Sequence, residues 1–148
     1  MASVAAALKE RGAAVTGSDH GIYPPMSAFL EERGIEARPF DKANLAQRPD
    51  LVVIGNAISR GNPEVEFVLE QKLDYCSLPE LLKHRFLRGK RSLVVSGTHG
   101  KTTTASLLVW LLEHNDLNPN FLIGGIPNNL GQGARFTDSD WFVIEGDE

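Results

Sequence analysis

The chain has 148 residues, of which 42% are hydrophobic, and a formal net charge of -4 at pH 7. This composition provides enough apolar side chains for a packed core, so an intrinsically disordered chain is excluded. The negative charge excludes the broad basic surface that non-specific nucleic-acid binding needs. No segment approaches the roughly 20 apolar residues of a membrane span. We therefore expect neither a nucleic-acid nor a membrane partner.

The single cysteine, Cys76, cannot form an internal disulfide, and no cysteine and histidine cluster has the spacing of a zinc site. Both features favour a reducing, cytoplasmic environment. We interpret Cys76 as a small buried apolar residue rather than a nucleophile. The N-terminal segment MASVAAALKERG is too weakly apolar for a signal peptide and predicts a helix instead.

The first part of the chain predicts alternating helices and strands. Helix formers over 2–11 end at Gly12, and AAVTGSD over 13–19 predicts a short strand that ends in an acidic residue. The apolar run over 50–57 is typical of a buried parallel strand. Further helices are expected over 27–34, 63–72 and 78–89.

Basic residues over 88–91 indicate an exposed link, so we predict one domain over 1–89 and a second over 90–148. In the second domain, a strand, a glycine loop and a helix are followed by two further strands. This helix is apolar on two sides, which predicts burial between two layers. One side carries Ala105, Leu108, Val109 and Leu112, and the other carries Leu107, Trp110 and Leu111. The two strands are expected over 121–125 and 140–148.

The alternation of strands and helices predicts an α/β fold in which helices cover both faces of a parallel sheet. We expect a Rossmann-like N-terminal domain, followed by the start of a phosphate-loop domain. A doubly wound nucleotide-binding unit begins with a strand and a glycine loop, whereas this chain begins in a helix. We therefore expect a fragment that lacks the first strand, and we expect its truncated faces to favour self-association.

The segment SGTHGKTTT, over 96–104, is a glycine loop between a predicted strand and a predicted helix. The usual phosphate-binding pattern G-x-x-x-x-G-K-[ST] would place its first glycine at Val95, but here the first glycine is Gly97. The order of elements still predicts that backbone N–H groups and the helix dipole surround a phosphate. We predict an ATP site formed by Gly97, Thr98, His99, Gly100, Lys101, Thr102 and Thr103.

Thr102 holds the position that ligates magnesium in such loops, and Glu145 follows the apolar run WFVI at the end of a later strand. Glu145 is a second candidate ligand, either directly or through water. A solvated cluster of Glu145, Asp147 and Glu148 is an equally good interpretation of these acidic residues. We interpret His99 as a loop residue that contacts phosphate or fills space rather than as a catalytic base.

Two features of the first domain also indicate ligand binding. Asp19 has the position at which dinucleotide-binding folds bind a ribose hydroxyl, although Ser-Asp also forms ordinary turns. The segment NAISRGNPE, over 56–64, is either a ligand loop at the carboxyl edge of the sheet or only a connection.

The segment SGTHGKTTTASLL resembles the ATP loop of the Mur ligases, whose shortened G-T-x-G-K-[ST] pattern also lacks the early glycine. FLIGGIPNNLGQGAR and FVIEGDE resemble the central domain of muramate-dependent members, and VTGSD resembles the second strand of their uridine-nucleotide domain. GSDHGIYPPMSAFLEERGI and VVIGNAISRGNPEVEFVLE are most similar to members that attach a tripeptide in peptidoglycan recycling. Members that attach L-alanine are the nearby alternative.

The resemblance implies an ATP- and Mg²⁺-dependent ligase that joins L-alanyl-γ-D-glutamyl-meso-diaminopimelate to UDP-N-acetylmuramate. ATP would phosphorylate the muramoyl carboxylate, and the tripeptide amine would displace phosphate from the acyl phosphate. Lys101 would stabilise the transferred phosphate, and Thr102 and Glu145 would hold Mg²⁺. Substrate contacts are implied for Ser18, Asp19, Asn56, Asn128, Asn129 and Arg135.

The glycine loop that precedes the first helix in this family is absent here, as are the rest of the central domain and the C-terminal domain. We therefore expect no ligase turnover by this chain alone. A nucleotide-binding module without chemistry is the alternative from a different functional class.

Overall fold

The computed structural model describes residues 1–146, and this part of the chain forms five α-helices and eight strands. It divides into two compact units. The first comprises residues 1–2 and 14–85, and the second comprises residues 3–13 and the chain from Phe86 onward. Helix α1 (Ala2–Glu10) thus lies almost wholly in the second unit, although the boundary inferred from the sequence assigns it to the first domain. The domain assignment itself stays a prediction.

The first unit contains two separate pairs of parallel strands. Strand β1 (Gly17–Ser18) pairs with β2 (Ala37–Arg38), and β3 (Val52–Ile54) pairs with β4 (Tyr75–Ser77). The parallel pairing follows the predicted alternation of strands and helices. The helices of this unit are α2 (Met26–Glu32), α3 (Pro63–Gln71) and α4 (Leu78–Leu82).

Local sequence explains where two of these helices begin. The side chain of Asn62 accepts a hydrogen bond from the backbone N–H of Glu64 at 2.9 Å, and Pro63 occupies the first turn of α3, where an N–H has no helical partner. Ser77 and Glu80 form a reciprocal capping box at the start of α4. Both helix starts are therefore determined by side chains next to them in the sequence.

Near the start of α3, the buried carboxylate of Glu64 accepts three hydrogen bonds from other parts of the first unit. The donors are the hydroxyl of Ser18, the backbone N–H of Asp41 at 3.2 Å and the side-chain amide of Asn44 at 2.7 Å. A buried carboxylate is tolerated only when hydrogen bonds replace those to water. This network therefore ties the end of β1 and the segment after β2 to the helix that follows β3.

The second unit contains a four-stranded sheet with the order β5-β8-β6-β7. Its strands are β5 (Arg91–Val95), β6 (Asn120–Leu122), β7 (Ala134–Arg135) and β8 (Trp141–Glu145). β5, β8 and β6 are parallel, whereas β7 pairs antiparallel with β6. The expectation of a parallel sheet is thus confirmed for the three predicted strands, and the antiparallel strand β7 is an addition that the sequence did not predict. No helix connects β6 to β7, so the chain returns beside β6 in the opposite direction.

Helix α5 (Lys101–Glu113) packs one side on this sheet. Its residues Ala105 and Val109 are fully buried with residues of β6 and β8. The second apolar side is not covered: Leu107, Trp110 and Leu111 are 56%, 43% and 51% exposed. The prediction that α5 is buried between two layers is therefore wrong for the described residues, because the sheet covers only one side of the helix.

Arg11, which directly follows α1, contacts the segment between β7 and β8. The guanidinium of Arg11 donates to the backbone carbonyl of Phe136 at 3.1 Å and lies 3.6 Å from the carboxylate of Asp138. Phe136 in turn stacks on Phe86 with a centroid distance of 3.8 Å.

Among the helices of residues 1–146, none has both the length and the hydropathy needed to cross a membrane.

We expect the two sides of α5 to differ in their contribution to stability. Val109→Ala should lower the free energy of unfolding by about 2 kcal/mol, because it removes two methyl groups from a buried site and leaves a cavity. Leu111→Ala, on the exposed side, should change it by less than about 0.5 kcal/mol. Urea denaturation of both variants measures the difference, and equal losses would contradict the exposure of the second side.

We also expect the Glu64 network to stabilise the first unit. Glu64→Ala should lower the free energy of unfolding by about 2–3 kcal/mol, since donors that are partly buried lose their acceptor. Glu64→Gln should cost less because the amide oxygen still accepts. Denaturation monitored by circular dichroism provides the comparison. If both substitutions cost the same, the hydrogen bonds do not account for the stabilisation.

Candidate nucleotide-binding site

The glycine loop lies at the carboxyl ends of parallel strands. β5 ends at Val95, α5 begins at Lys101, and residues 96–100 between them are exposed. The strand, loop and helix expected from the sequence are therefore present in that order. In open α/β sheets, ligands bind beyond the carboxyl ends of the strands, so the loop lies where a ligand site is expected.

Two loop residues require a backbone conformation that favours glycine. Gly97 has a φ of 144° and Gly100 a φ of 76°, both in the positive region that L side chains rarely adopt. Gly100 is the N-cap of α5, and its carbonyl accepts the N–H of Thr104 at 2.9 Å. The N–H groups of the first helical turn have no partner within the helix. They are therefore suited to binding an anion.

The side chain of Lys101 folds back over the loop. Its Nζ donates a hydrogen bond to the backbone carbonyl of Gly97 at 2.7 Å. The ammonium group thus lies beside the same backbone whose N–H groups are suited to an anion. This arrangement concentrates positive charge at one point of an otherwise exposed loop.

Glu145 lies at the end of β8, directly beside the end of β5. It is in register with Val95, and the N–H of Gly146 donates to the carbonyl of Val95 at 2.8 Å. One carboxylate oxygen, Oε2, accepts the N–H of Gly124 at 2.9 Å. The other, Oε1, is buried, and no residue of 1–146 donates a hydrogen bond to it. An unpaired buried carboxylate oxygen is costly, so Oε1 is suited to bind a cation.

The residues of this site fit a magnesium ion that is bound together with a nucleotide. The part of the chain that the structure describes contains no cluster of three or more histidine, cysteine, aspartate or glutamate side chains that could hold a metal. Mg²⁺ does not need such a cluster, because it keeps several water molecules and combines one or two protein oxygens with substrate phosphates. The candidate protein ligands are the unpaired Oε1 of Glu145 and the hydroxyl of Thr102 in the first turn of α5, and their assignment stays a prediction.

Gly124 was not among the residues predicted for the site. Besides its hydrogen bond to Glu145, it leaves room for the carboxylate: a Cβ at this position would lie 2.8 Å from Oε2. The sequence does contain a signal, since two glycines lie just beyond the carboxyl end of β6, after Ile123. A paired glycine, however, also suits a simple turn, so the contact becomes evident only from the structure.

In the first unit, Ser18, Asp19 and Asn56 lie at or just beyond the carboxyl ends of β1 and β3. The hydroxyl of Ser18 donates to Glu64, whereas Asp19 and Asn56 are exposed. The backbone N–H of Asp19 donates to the carbonyl of Arg38 at 3.0 Å, which fixes the chain just after β1. Their roles in substrate binding stay predictions.

Arg135 is engaged within the second unit. Its guanidinium pairs with Glu113 at 2.7 Å, donates to the carbonyl of Pro119 at 3.2 Å and lies 5.0 Å from the centroid of the Phe121 ring. These contacts give Arg135 a packing role beside the predicted one. Asn128 and Asn129 are exposed in the connection between β6 and β7. The substrate contacts predicted for Arg135 and the two asparagines remain untested.

The remaining residues that the sequence singled out are Cys76, His99, Asp147 and Glu148. Burial raises the pKa of the Cys76 thiol, and the negative charge of Glu80 adds to this effect. A raised pKa disfavours the thiolate, which agrees with a packing role rather than a nucleophilic one. His99 is exposed in the loop. Asp147 and Glu148 lie outside the described residues.

Comparison with known proteins shows similarity over the whole chain. UDP-N-acetylmuramate--L-alanyl-gamma-D-glutamyl-meso-2,6-diaminoheptandioate ligase from Haemophilus influenzae is 55% identical over an alignment of 149 positions, which covers 100% of this chain and 33% of that protein. UDP-N-acetylmuramate--L-alanine ligase from Novosphingobium aromaticivorans is 37% identical over 148 residues, or 31% of its length. The chain thus spans about a third of the curated relatives it matches.

A solved structure has the same fold. The crystal structure of UDP-N-acetylmuramate:L-alanyl-gamma-D-glutamyl-meso-diaminopimelate ligase from Neisseria meningitides matches with a TM-score of 0.91 at 46% identity. The match covers 100% of this chain and 49% of that one. In addition, a family model described as "Mur ligase family, catalytic domain" matches residues 1–89. This range is more than half of the chain, and the chain belongs to the Mur ligase family.

Proposed function

We propose that this chain provides the ATP site and part of the UDP-N-acetylmuramate site of a ligase that acts in peptidoglycan recycling. The ligase joins L-alanyl-γ-D-glutamyl-meso-diaminopimelate to UDP-N-acetylmuramate through an amide bond and consumes ATP. The identity of 55% to a relative named for this reaction, against 37% to one named for L-alanine, supports this choice. We assign the reaction to the cytoplasm, where ATP is available.

The observation that carries the proposal is the pairing of β5 with β8. It brings the glycine loop after Val95 next to Glu145, whose Oε1 is buried without a donor in residues 1–146. A cationic loop for phosphate beside a carboxylate for a metal is the combination that phosphoryl transfer from ATP requires. A module that bound only a nucleotide sugar would need neither the lysine nor this carboxylate.

In the proposed reaction, the muramoyl carboxylate attacks the γ-phosphorus of ATP, and ADP leaves. The tripeptide amine then attacks the resulting acyl phosphate, so that an amide bond forms and phosphate is released. Lys101 stabilises the negative charge of the transferred phosphoryl group, and the N–H groups from Gly97 to Thr103 orient the ATP phosphates. Bound Mg²⁺, held by Thr102 and Glu145, would neutralise phosphate charge.

The first unit is assigned to UDP-N-acetylmuramate. The exposed carboxylate of Asp19 is suited to accept hydrogen bonds from uridine or ribose hydroxyl groups, and Ser18 and Asn56 provide further polar contacts at the same strand ends. We propose contacts to the muramoyl part or its phosphates for Asn128, Asn129 and Arg135. For Arg135 this needs part of the guanidinium beyond its ion pair with Glu113.

The principal alternative is a ligase that attaches L-alanine to the same nucleotide sugar. The 37% identity to the Novosphingobium relative supports this alternative. A nucleotide-binding module without chemistry is the second alternative. We propose that the 148-residue chain alone does not form the amide, since it spans about a third of its relatives.

A chimera tests the proposed activity. This chain replaces the matching segment of the Haemophilus influenzae relative, and phosphate release is measured with ATP, Mg²⁺, UDP-N-acetylmuramate and the tripeptide. We expect turnover within about tenfold of the parent protein. Lys101→Ala in the chimera should lower kcat by at least about 10²-fold, because it removes charge stabilisation of the transferred phosphoryl group. Lys42→Ala, outside the loop, is the matched control.

Two outcomes would contradict the proposal. A folded chimera without turnover would favour the non-catalytic module, and full activity of the Lys101→Ala variant would remove the assigned role of the loop. The same replacement in the Novosphingobium relative, assayed with L-alanine, should support activity less well. Better activity in that background would favour the alternative amine.

We also propose that the isolated chain self-associates. The apolar side of α5 is exposed at Leu107, Trp110 and Leu111, and the two strand pairs of the first unit have open edges in the described residues. Light scattering should therefore show a mass that rises with concentration. Trp110→Ser should reduce this rise, whereas Thr103→Ser on the same helix should not. A monomer at all concentrations would contradict the proposal.

A further inference from the structure

The geometry of the second unit assigns a further role to Gly124: we propose that it is a positioning residue for the metal-binding carboxylate of Glu145. Its N–H holds Oε2, and the absence of a Cβ lets the carboxylate lie against the backbone, so that Oε1 is left for a divalent cation. This inference rests on the proposed function, because it extends the role of Glu145 to the residue that orients it.

The two carboxylate oxygens of Glu145 differ in their hydrogen bonding. Oε2 accepts the N–H of Gly124 at 2.9 Å, whereas Oε1 is buried and has no donor in the described chain. Because a backbone N–H fixes one oxygen, the carboxylate cannot rotate freely to expose its other oxygen to water. The hydrogen bond therefore selects one orientation, in which a single oxygen is left for a ligand.

The carboxylate of Glu145 lies close to the place that a side chain at residue 124 would occupy. A Cβ on residue 124 would lie 2.8 Å from Oε2 and 3.9 Å from Cδ of Glu145, and contacts below 3.0 Å force a displacement. The φ of Gly124 is not in the positive region, so backbone conformation does not require glycine here. A side chain at this position would therefore be accommodated by moving the carboxylate of Glu145 away from its present place, rather than by moving backbone.

The backbone next to Gly124 is fixed by packing and by hydrogen bonds within the second unit. The neighbouring residue Ile123 is buried in the core beneath α5, and its N–H donates to the carbonyl of Gly133 at 2.7 Å. β6, which precedes it, pairs in parallel with β8. Gly124 is thus fixed by the same sheet that carries Glu145. Outer groups that orient metal ligands commonly change metal affinity by 10–100-fold when they are altered.

The test uses the 148-residue chain and Mn²⁺ as a paramagnetic probe. Electron paramagnetic resonance gives the Mn²⁺ affinity with and without a non-hydrolysable ATP analogue, and amide NMR locates the ion. In the wild type, Mn²⁺ should broaden the Gly124 amide signal. Gly124→Ala should weaken Mn²⁺ binding by about tenfold or more, while the affinity for the metal-free analogue changes by less than about twofold.

Three further variants separate positioning from loss of fold. Gly17→Ala is the matched control, because no atom lies within 4 Å of a Cβ at Gly17 and its φ is not positive. Glu145→Gln should shift the Gly124 amide resonance, since the acceptor loses its charge. In a Glu145→Asp background, Gly124→Ala should cost less Mn²⁺ affinity than in the wild type, because the shorter side chain relieves the contact.

The outcomes distinguish this inference from the proposed function. A wild-type chain that binds Mn²⁺ at Gly124 but not the ATP analogue would contradict the function and support the positioning role. A folded Gly124→Ala chain with wild-type Mn²⁺ affinity, or a wild type that does not bind Mn²⁺ under either condition, would overturn the inference. Unfolding of Gly124→Ala that Glu145→Asp rescues would support it through the same contact.

Discussion

The parallel pairing of β5 with β8 is the constraint on which the candidate site depends. Because Val95 is in register with Glu145, the two strands end together, and the chain that leaves each of them begins at one edge of the sheet. One of these ends leads into a loop suited to phosphate, and the other carries a carboxylate. The hydrophobic cluster beneath α5 supports this pairing, since it includes Val143 of β8, and Leu93 and Val95 of β5 pack against it. The packing of the sheet beneath α5 and the positions of the loop and of Glu145 thus depend on the same strand pair.

In the first unit, hydrogen bonds to the carboxylate of Glu64 fix the segments at the strand ends. Its strand pairs are short, and β1 has only two residues, so backbone pairing alone fixes little of the structure around them. The carboxylate of Glu64 joins three segments at the strand ends and orders the surroundings of Ser18. A buried carboxylate that is fully hydrogen-bonded is more specific in geometry than an apolar contact of similar size. The surroundings of Ser18, a predicted substrate contact, therefore depend on Glu64, which the sequence did not single out.

Much of this organisation could be predicted from the sequence, because it depends on local patterns. The helix starts at Asn62 and Ser77, the loop between β5 and α5, and the end of β8 at Glu145 all follow from neighbouring residues. The contacts of Gly124 and Glu64 could not, since they join residues distant along the chain. The exposure of one side of α5 was also missed, because an apolar pattern does not reveal whether another element covers it.

The hydrogen bond between Lys101 and the carbonyl of Gly97 has a thermodynamic consequence for ligand binding. A lysine side chain in solution samples many rotamers, and immobilising such a side chain on association costs about 0.5–1.5 kcal/mol. Here the ammonium lies against the loop, held by its hydrogen bond to the carbonyl of Gly97. Part of the conformational entropy of this side chain is therefore lost in folding rather than in binding. In the proposed site, an ATP phosphate would replace the carbonyl as a more strongly charged acceptor, so the lysine side chain would be preorganised for binding.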